Sequence, residues 1–128
     1  MLKVLFVDDD VDLLSIYSDV LKKHDIMCKT AIDIKSCFSV LSDFLPNVVL
    51  IDQNLSNSGE YGVGYIEKIK VVVQNSSIVL FTNDNSKDLV DSALANGAFR
   101  VVRKIDIVSA AALLKLINAC FLNNKKTD

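Results

Sequence analysis

The sequence predicts an α/β fold: one parallel sheet, doubly wound, with helices on both faces in a (βα)5 order. Short apolar, β-branched runs alternate with longer stretches of helical period. The runs "VLFV", "VVLI" and "IVLF" are apolar throughout, as strands covered on both faces must be. A chain of 128 residues suits a single domain built this way.

Strands are expected at Leu2–Val7, Met27–Ala31, Val48–Ile51, Ile78–Phe81 and Arg100–Val102, with the second and fifth, shorter or more polar, at the edges. The first helix runs from about Val11 to Lys23 with Asp10 as N-cap and an inward stripe of Leu13, Ile16, Tyr17, Val20 and Leu21. A second follows Asp33, turns Ile34, Cys37, Phe38 and Leu41 inward, and stops before Pro46. The third spans roughly Gly64 to Val73 and buries Ile66 and Ile69. Ser86 to Asn96 form the fourth, closed by Gly97, and the last covers about Ser109 to Leu122. One domain over 1–122 and a polar tail, "NNKKTD", over 123–128 complete the expected organisation.

Composition narrows the function classes. Hydrophobic residues make up 51% and charged residues 23%, enough for a real core. A net charge of −2 offers no electrostatic footprint for nucleic acid. The first apolar run is broken by acids too early for a signal peptide, and no window approaches a membrane span. Cys28, Cys37 and Cys120 are too far apart for a CxxC site and read as packed, free thiols in a reducing cytoplasm. With His24 alone, neither a catalytic triad nor a histidine metal cluster can be assembled.

Ligands of an open α/β sheet bind beyond the carboxyl ends of its strands. The first strand ends in Asp8, Asp9 and Asp10, the third in Asp52, the fourth in Thr82 and the fifth in Lys104. Several carboxylates on one rim repel unless a cation sits among them, and oxygen donors of this kind suit Mg²⁺. A rim with Mg²⁺, a lysine and a hydroxyl is suited to a phosphoryl group.

In "FVDDD", "LIDQN", "LFTND" and "GAFRVVRK", taken in order and spacing, the chain resembles response-regulator receiver domains, the phosphoacceptor modules of two-component signalling. The resemblance covers nearly the whole chain and implies a flavodoxin-like three-layer sandwich with sheet order 2-1-3-4-5. It implies Asp52 as the nucleophile that accepts a phosphoryl group from a histidine kinase, forming an acyl phosphate. Asp9 would ligate Mg²⁺ directly, Asp8 through water, and Asp52 and the backbone carbonyl of Asn54 would complete the protein's share. Lys104 would pair with the phosphoryl oxygens and the Thr82 hydroxyl would swing toward them. The implied partners are a sensor histidine kinase or phosphotransfer protein and an unidentified downstream protein, with a homodimer formed on phosphorylation. Such a domain is cytoplasmic, contacts neither membrane nor nucleic acid itself, and is a regulator rather than an enzyme.

Four departures stand against the family pattern. Ile105 replaces the proline that follows the lysine, Ser56 replaces the proline of the phosphoacceptor loop, and Val101 replaces the switch aromatic. The loop "NLSNSGEYGVG" is longer than usual before Gly62, which matches the family's glycine. Ile105 and Val101 favour a second reading, a pseudo-receiver that acts as a phosphorylation-independent scaffold. A third, an aspartate-nucleophile phosphatase of the haloacid-dehalogenase type, has Asp8 and Asp10 as its motif start. Asp12 then stands where Thr or Val belongs, and no acidic pair follows the lysine.

Overall fold

The structure, a computed structural model, describes residues 2–55, 59–84 and 86–126. Five strands, β1 (Lys3–Val7), β2 (Met27–Ala31), β3 (Val48–Asp52), β4 (Ser77–Phe81) and β5 (Arg100–Val102), form one parallel sheet in the order 2-1-3-4-5. This is the flavodoxin-like arrangement the resemblance implies, with β2 and β5 at the edges as expected. The sheet is flanked by α1 (Val11–Lys23), α2 (Ile34–Leu41), α3 (Ile66–Val72), α4 (Lys87–Ala95) and α5 (Ala110–Lys126).

Strand side chains alternate between two faces. Leu5, Val7, Val49, Ile51, Ile78 and Leu80 pack with Ile34, Cys37 and Leu41 of α2, Ile66 and Ile69 of α3, and Ala93 of α4. Val4, Phe6, Val48, Leu50, Val79 and Phe81 meet Leu14, Tyr17 and Leu21 of α1 and Leu113, Ile117 and Cys120 of α5. Each fully buried Leu or Ile contributes about 1.5–3 kcal/mol, so these two half-cores hold the helices to the sheet.

Local signals fix the helix ends. Asp10 Oδ1 accepts from the Leu13 N–H at 3.1 Å. Asp33 and Ser36 form a reciprocal capping box at α2, and Ser109 Oγ accepts from the Ala112 N–H at 3.1 Å. Gly97, at φ +111°, ends the run after α4 in a conformation that a side chain resists.

Two expectations need correction, and the loop after β3 adds a feature. The buried stripe of α1 is Leu14, Tyr17 and Leu21, spaced three and four apart, whereas Ile16 is 59% exposed. Ile16 lies one step round the helix and faces a groove shared with α5. The segment after Leu122 continues α5 to Lys126, where its asparagines find partners at the start of β4 and just before β3. Asn123 Nδ2 donates to Ser77 Oγ at 3.0 Å and Asn124 Nδ2 to the Asn47 carbonyl at 2.6 Å. The long loop after β3 forms a two-stranded antiparallel hairpin, Asn54–Leu55 with Glu60–Tyr61, then a 3₁₀ turn over Gly62–Tyr65 ahead of α3. Ser56 and the last two residues lie outside the described residues.

Candidate functional site

Register brings the acids together. Val7 of β1 pairs with Ile51 of β3, so Asp8 and Asp52 leave adjacent strands at one level. By alternation, positions 8 and 52 continue the face that carries Phe6 and Leu50, toward α1 and α5. The two carboxylates are 3% and 5% exposed, and Asp9 is half-buried beside them. One carboxylate oxygen from each of Asp8, Asp9 and Asp52 lies within 4.8 Å of the others.

Lys104, two residues past the end of β5, reaches into this group. Its Nζ is 2.9 Å from Asp8 Oδ2 and 3.1 Å from Asp52 Oδ2. Burial alone would lower the lysine's pKa, but its bonds to Asp8 and Asp52 outweigh that and raise it, so it stays charged. Asp52 is raised as well, which in an acid works against the charged form. Burial first, then the charge of Asp8, push it up to about 6, against the pull of Lys104 and the Asn54 backbone N–H. At neutral pH the result is an ionised but poorly solvated carboxylate. Asp8 is further tied by Oδ1, which accepts from the Asp10 N–H at 2.9 Å.

Asp10 is exposed and its side chain is spent on the α1 cap, which separates it from the cluster. Thr82 is 1% exposed, and its Oγ1 donates to the Asp84 carbonyl at 3.1 Å while accepting from the Asp84 N–H at 3.0 Å. Two residues beyond Leu80, it keeps step with the face opposite Asp52. Asn54 is exposed at the root of the hairpin. Despite Ile105, Lys104 is aimed at both acids, and the described residues contain no cis peptide bond. Val101 packs, half-buried, against the α2–α4 half-core.

The roles of Gln53 and Asp84 were not evident in the sequence, and Gly62, matched there to the family's glycine, has a physical role as well. Gln53 braces the loop after Asp52: its N–H donates to the Phe81 carbonyl at 2.8 Å, and its Oε1 accepts from the Val63 N–H at 2.8 Å. Asp84 holds the Thr82 hydroxyl through its backbone, so only its place two residues after a strand-ending threonine could have flagged it. Gly62 packs against the Asp52 carbonyl, a close approach that only a glycine permits.

Over residues 4–118 the sequence matches the family described as response regulator receiver domain. The chain belongs to that family, a regulatory one. Solved structures share its fold. The beryllofluoride-activated NtrC4 receiver domain dimer is 24% identical with a TM-score of 0.84, over 97% of this chain and 99% of that one. A CheY-like response regulator receiver domain protein from Methanospirillum hungatei JF-1 is 20% identical with a TM-score of 0.89, over 100% and 99%. The receiver domain of NtrX from Brucella abortus is 24% identical with a TM-score of 0.80, over 92% and 97%. No curated protein sequence matches the chain. Among the described residues, no helix is long and apolar enough to cross a membrane.

Proposed function

We propose that this domain accepts a phosphoryl group on Asp52 from a histidine kinase or phosphotransfer protein and relays the signal to a downstream protein. The observation that carries the reading is the buried Asp8–Lys104–Asp52 arrangement, with Lys104 Nζ within 3.1 Å of both acids. An Asp52 oxygen attacks phosphorus, and the bond from phosphorus to the donor's imidazole nitrogen breaks with its electron pair on nitrogen. Lys104, charged and already at the nucleophile, offsets the negative charge of the phosphoryl oxygens as they arrive.

The three clustered carboxylates form a hard oxygen donor set that fits Mg²⁺. Asp8, Asp9, Asp52 and the Asn54 carbonyl would hold it. Bound there, Mg²⁺ supplies further charge neutralisation for the phosphoryl group. The Thr82 hydroxyl would exchange its bonds to Asp84 for a phosphoryl oxygen, which moves the segment after β4. With Val101 in place of an aromatic, that movement would be passed on without a rotating ring. Against the scaffold reading, Lys104 stands between the two acids despite Ile105.

Intact mass after incubation with phosphoramidate tests the reading. One base-labile phosphoryl adduct is expected with Mg²⁺ and none with chelator; no adduct in either condition sinks it. A second expectation separates neighbouring aspartates. Asp9→Ala should weaken Mg²⁺ binding by about tenfold or more. Asp10→Ala should leave it nearly unchanged and instead lower stability by about 1 kcal/mol through the lost cap. Titration of the two variants with Mg²⁺ checks this, and equal losses would contradict the assignment.

A further inference from the structure

Tyr17 lies in the buried stripe of α1, 8% exposed, with its ring against Phe6 at a centroid distance of 4.9 Å. An aliphatic side chain would serve that packing, so the hydroxyl needs its own account. It donates to the Ile107 carbonyl at 3.1 Å, a buried bond across 90 residues of sequence. Ile107 closes the short 3₁₀ turn Lys104–Asp106: its N–H donates to the Lys104 carbonyl at 3.0 Å, as the Asp106 N–H does to Arg103. Lys104 departs from this turn to reach Asp8 and Asp52. Nothing covalent stiffens the turn, because the residue after the lysine is Ile105, itself 57% exposed and therefore weakly packed.

We propose that Tyr17 is a positioning residue for Lys104: its hydroxyl ties the turn carrying the lysine to α1, and so fixes where the ammonium stands relative to Asp52. The tie replaces the stiffness that a proline at position 105 would provide. Three features of the structure agree. Tyr17 and Lys104 line the same groove, together with Ile107 and Leu113. Phe6, on which the tyrosine ring rests, lies in β1 two residues before Asp8, which follows that strand, so the tie runs from the floor of the site to its lysine. Burial raises the phenol's pKa, with Lys104 opposing and Asp8 adding to the rise, so the hydroxyl stays a donor at neutral pH.

This inference rests on the phosphoacceptor reading, and the test separates the two. The rate of acyl phosphate formation from phosphoramidate, at saturating Mg²⁺, is measured for wild type, Tyr17→Phe, Lys104→Met and the double variant. Tyr17→Phe keeps the ring and is expected to react about five-fold slower, the equivalent of one hydrogen bond's net strength. In the Lys104→Met background the same change should have no effect, because the group it positions is gone. An unchanged rate in Tyr17→Phe overturns the inference. So does the same fold-loss in both backgrounds, which would assign Tyr17 to the fold alone. A wild-type protein that takes no phosphoryl group overturns both readings together.

Discussion

Asp52→Asn is expected to gain no phosphoryl group in conditions that modify the wild type fully, and to remain folded. The amide has the same shape and keeps an oxygen acceptor for the Lys104 ammonium, now 3.1 Å from the carboxylate. What it lacks is the anionic lone pair that attacks phosphorus. The charge that makes Asp52 reactive also burdens the fold, and this gives the variant a second signature. Asp52 titrates near 6 in the folded chain against an ordinary 3.8, so between those values the folded state binds more protons than the unfolded one. Stability from this group is therefore full below about pH 4 and is lost as pH rises through about 6, by about 3 kcal/mol at most. Urea unfolding in chelator should show that decline for the wild type and not for Asp52→Asn, which should be the more stable protein at pH 7. Mg²⁺ at neutral pH should recover part of the loss in the wild type, because a bound cation favours the ionised carboxylate. An adduct that persists in Asp52→Asn would move the phosphoacceptor elsewhere. Parallel pH profiles for the two proteins would show that burial does not hold Asp52 near 6.

The sheet was legible because its strands are short and apolar, and because parallel strands covered by helices leave little choice of arrangement. Its order came only from resemblance, since periodicity describes each strand and not its neighbour. Asp8, Asp52 and Thr82 could be read off as the polar positions where their strands end, with alternation setting their faces, whereas Lys104 stands one place past Arg103 and was singled out by the resemblance. That rule places Asp8 and Asp52 together, yet it puts Thr82 in step with the other face. The turn of its hydroxyl toward Asp84 depends on loop backbone that no residue type announces. Ile16 was misjudged for a related reason. In α1 more than half of the residues are apolar, with Leu13 beside Leu14, Ile16 beside Tyr17 and Val20 beside Leu21, so the stripe could be drawn a step to either side. Only the position of α5 decides which apolar residues are covered and which line the groove beside Lys104. Tyr17 looked like one more member of that stripe, because a hydroxyl's partner 90 residues away leaves no local trace.

Gly62→Ala is expected to be the most damaging single methyl group that can be added near the site. A Cβ at position 62 would stand 2.4 Å from the Asp52 carbonyl oxygen and 3.1 Å from Leu80 Cδ1. Asp52 cannot give way, since it pairs with Phe81 in the middle of the sheet and Gln53 hydrogen-bonds to the Phe81 carbonyl. Relief must come from the loop. The Gly62 N–H bond to the Gln53 carbonyl, 2.9 Å, and the Val63 N–H bond to Gln53 Oε1, 2.8 Å, would both stretch or break. Overpacking plus two weakened hydrogen bonds amounts to about 2–4 kcal/mol, or roughly 10 °C in Tm for a domain of this size. Gly64→Ala is the matched control: among the described residues nothing lies within 4 Å of a Cβ there, so stability should stay within about 0.5 kcal/mol of wild type. The loop that retreats in Gly62→Ala is the one that braces Asp52, so phosphorylation from phosphoramidate should slow even at temperatures where the variant is fully folded. Equal Tm values for the two alanine variants would mean that the loop moves freely, and that Asp52 is held by the sheet and Lys104 alone. A lower Tm with an unchanged rate would confine the glycine's role to packing. A fall in both would tie the close approach at Gly62 to the placement of the carboxylate that reacts.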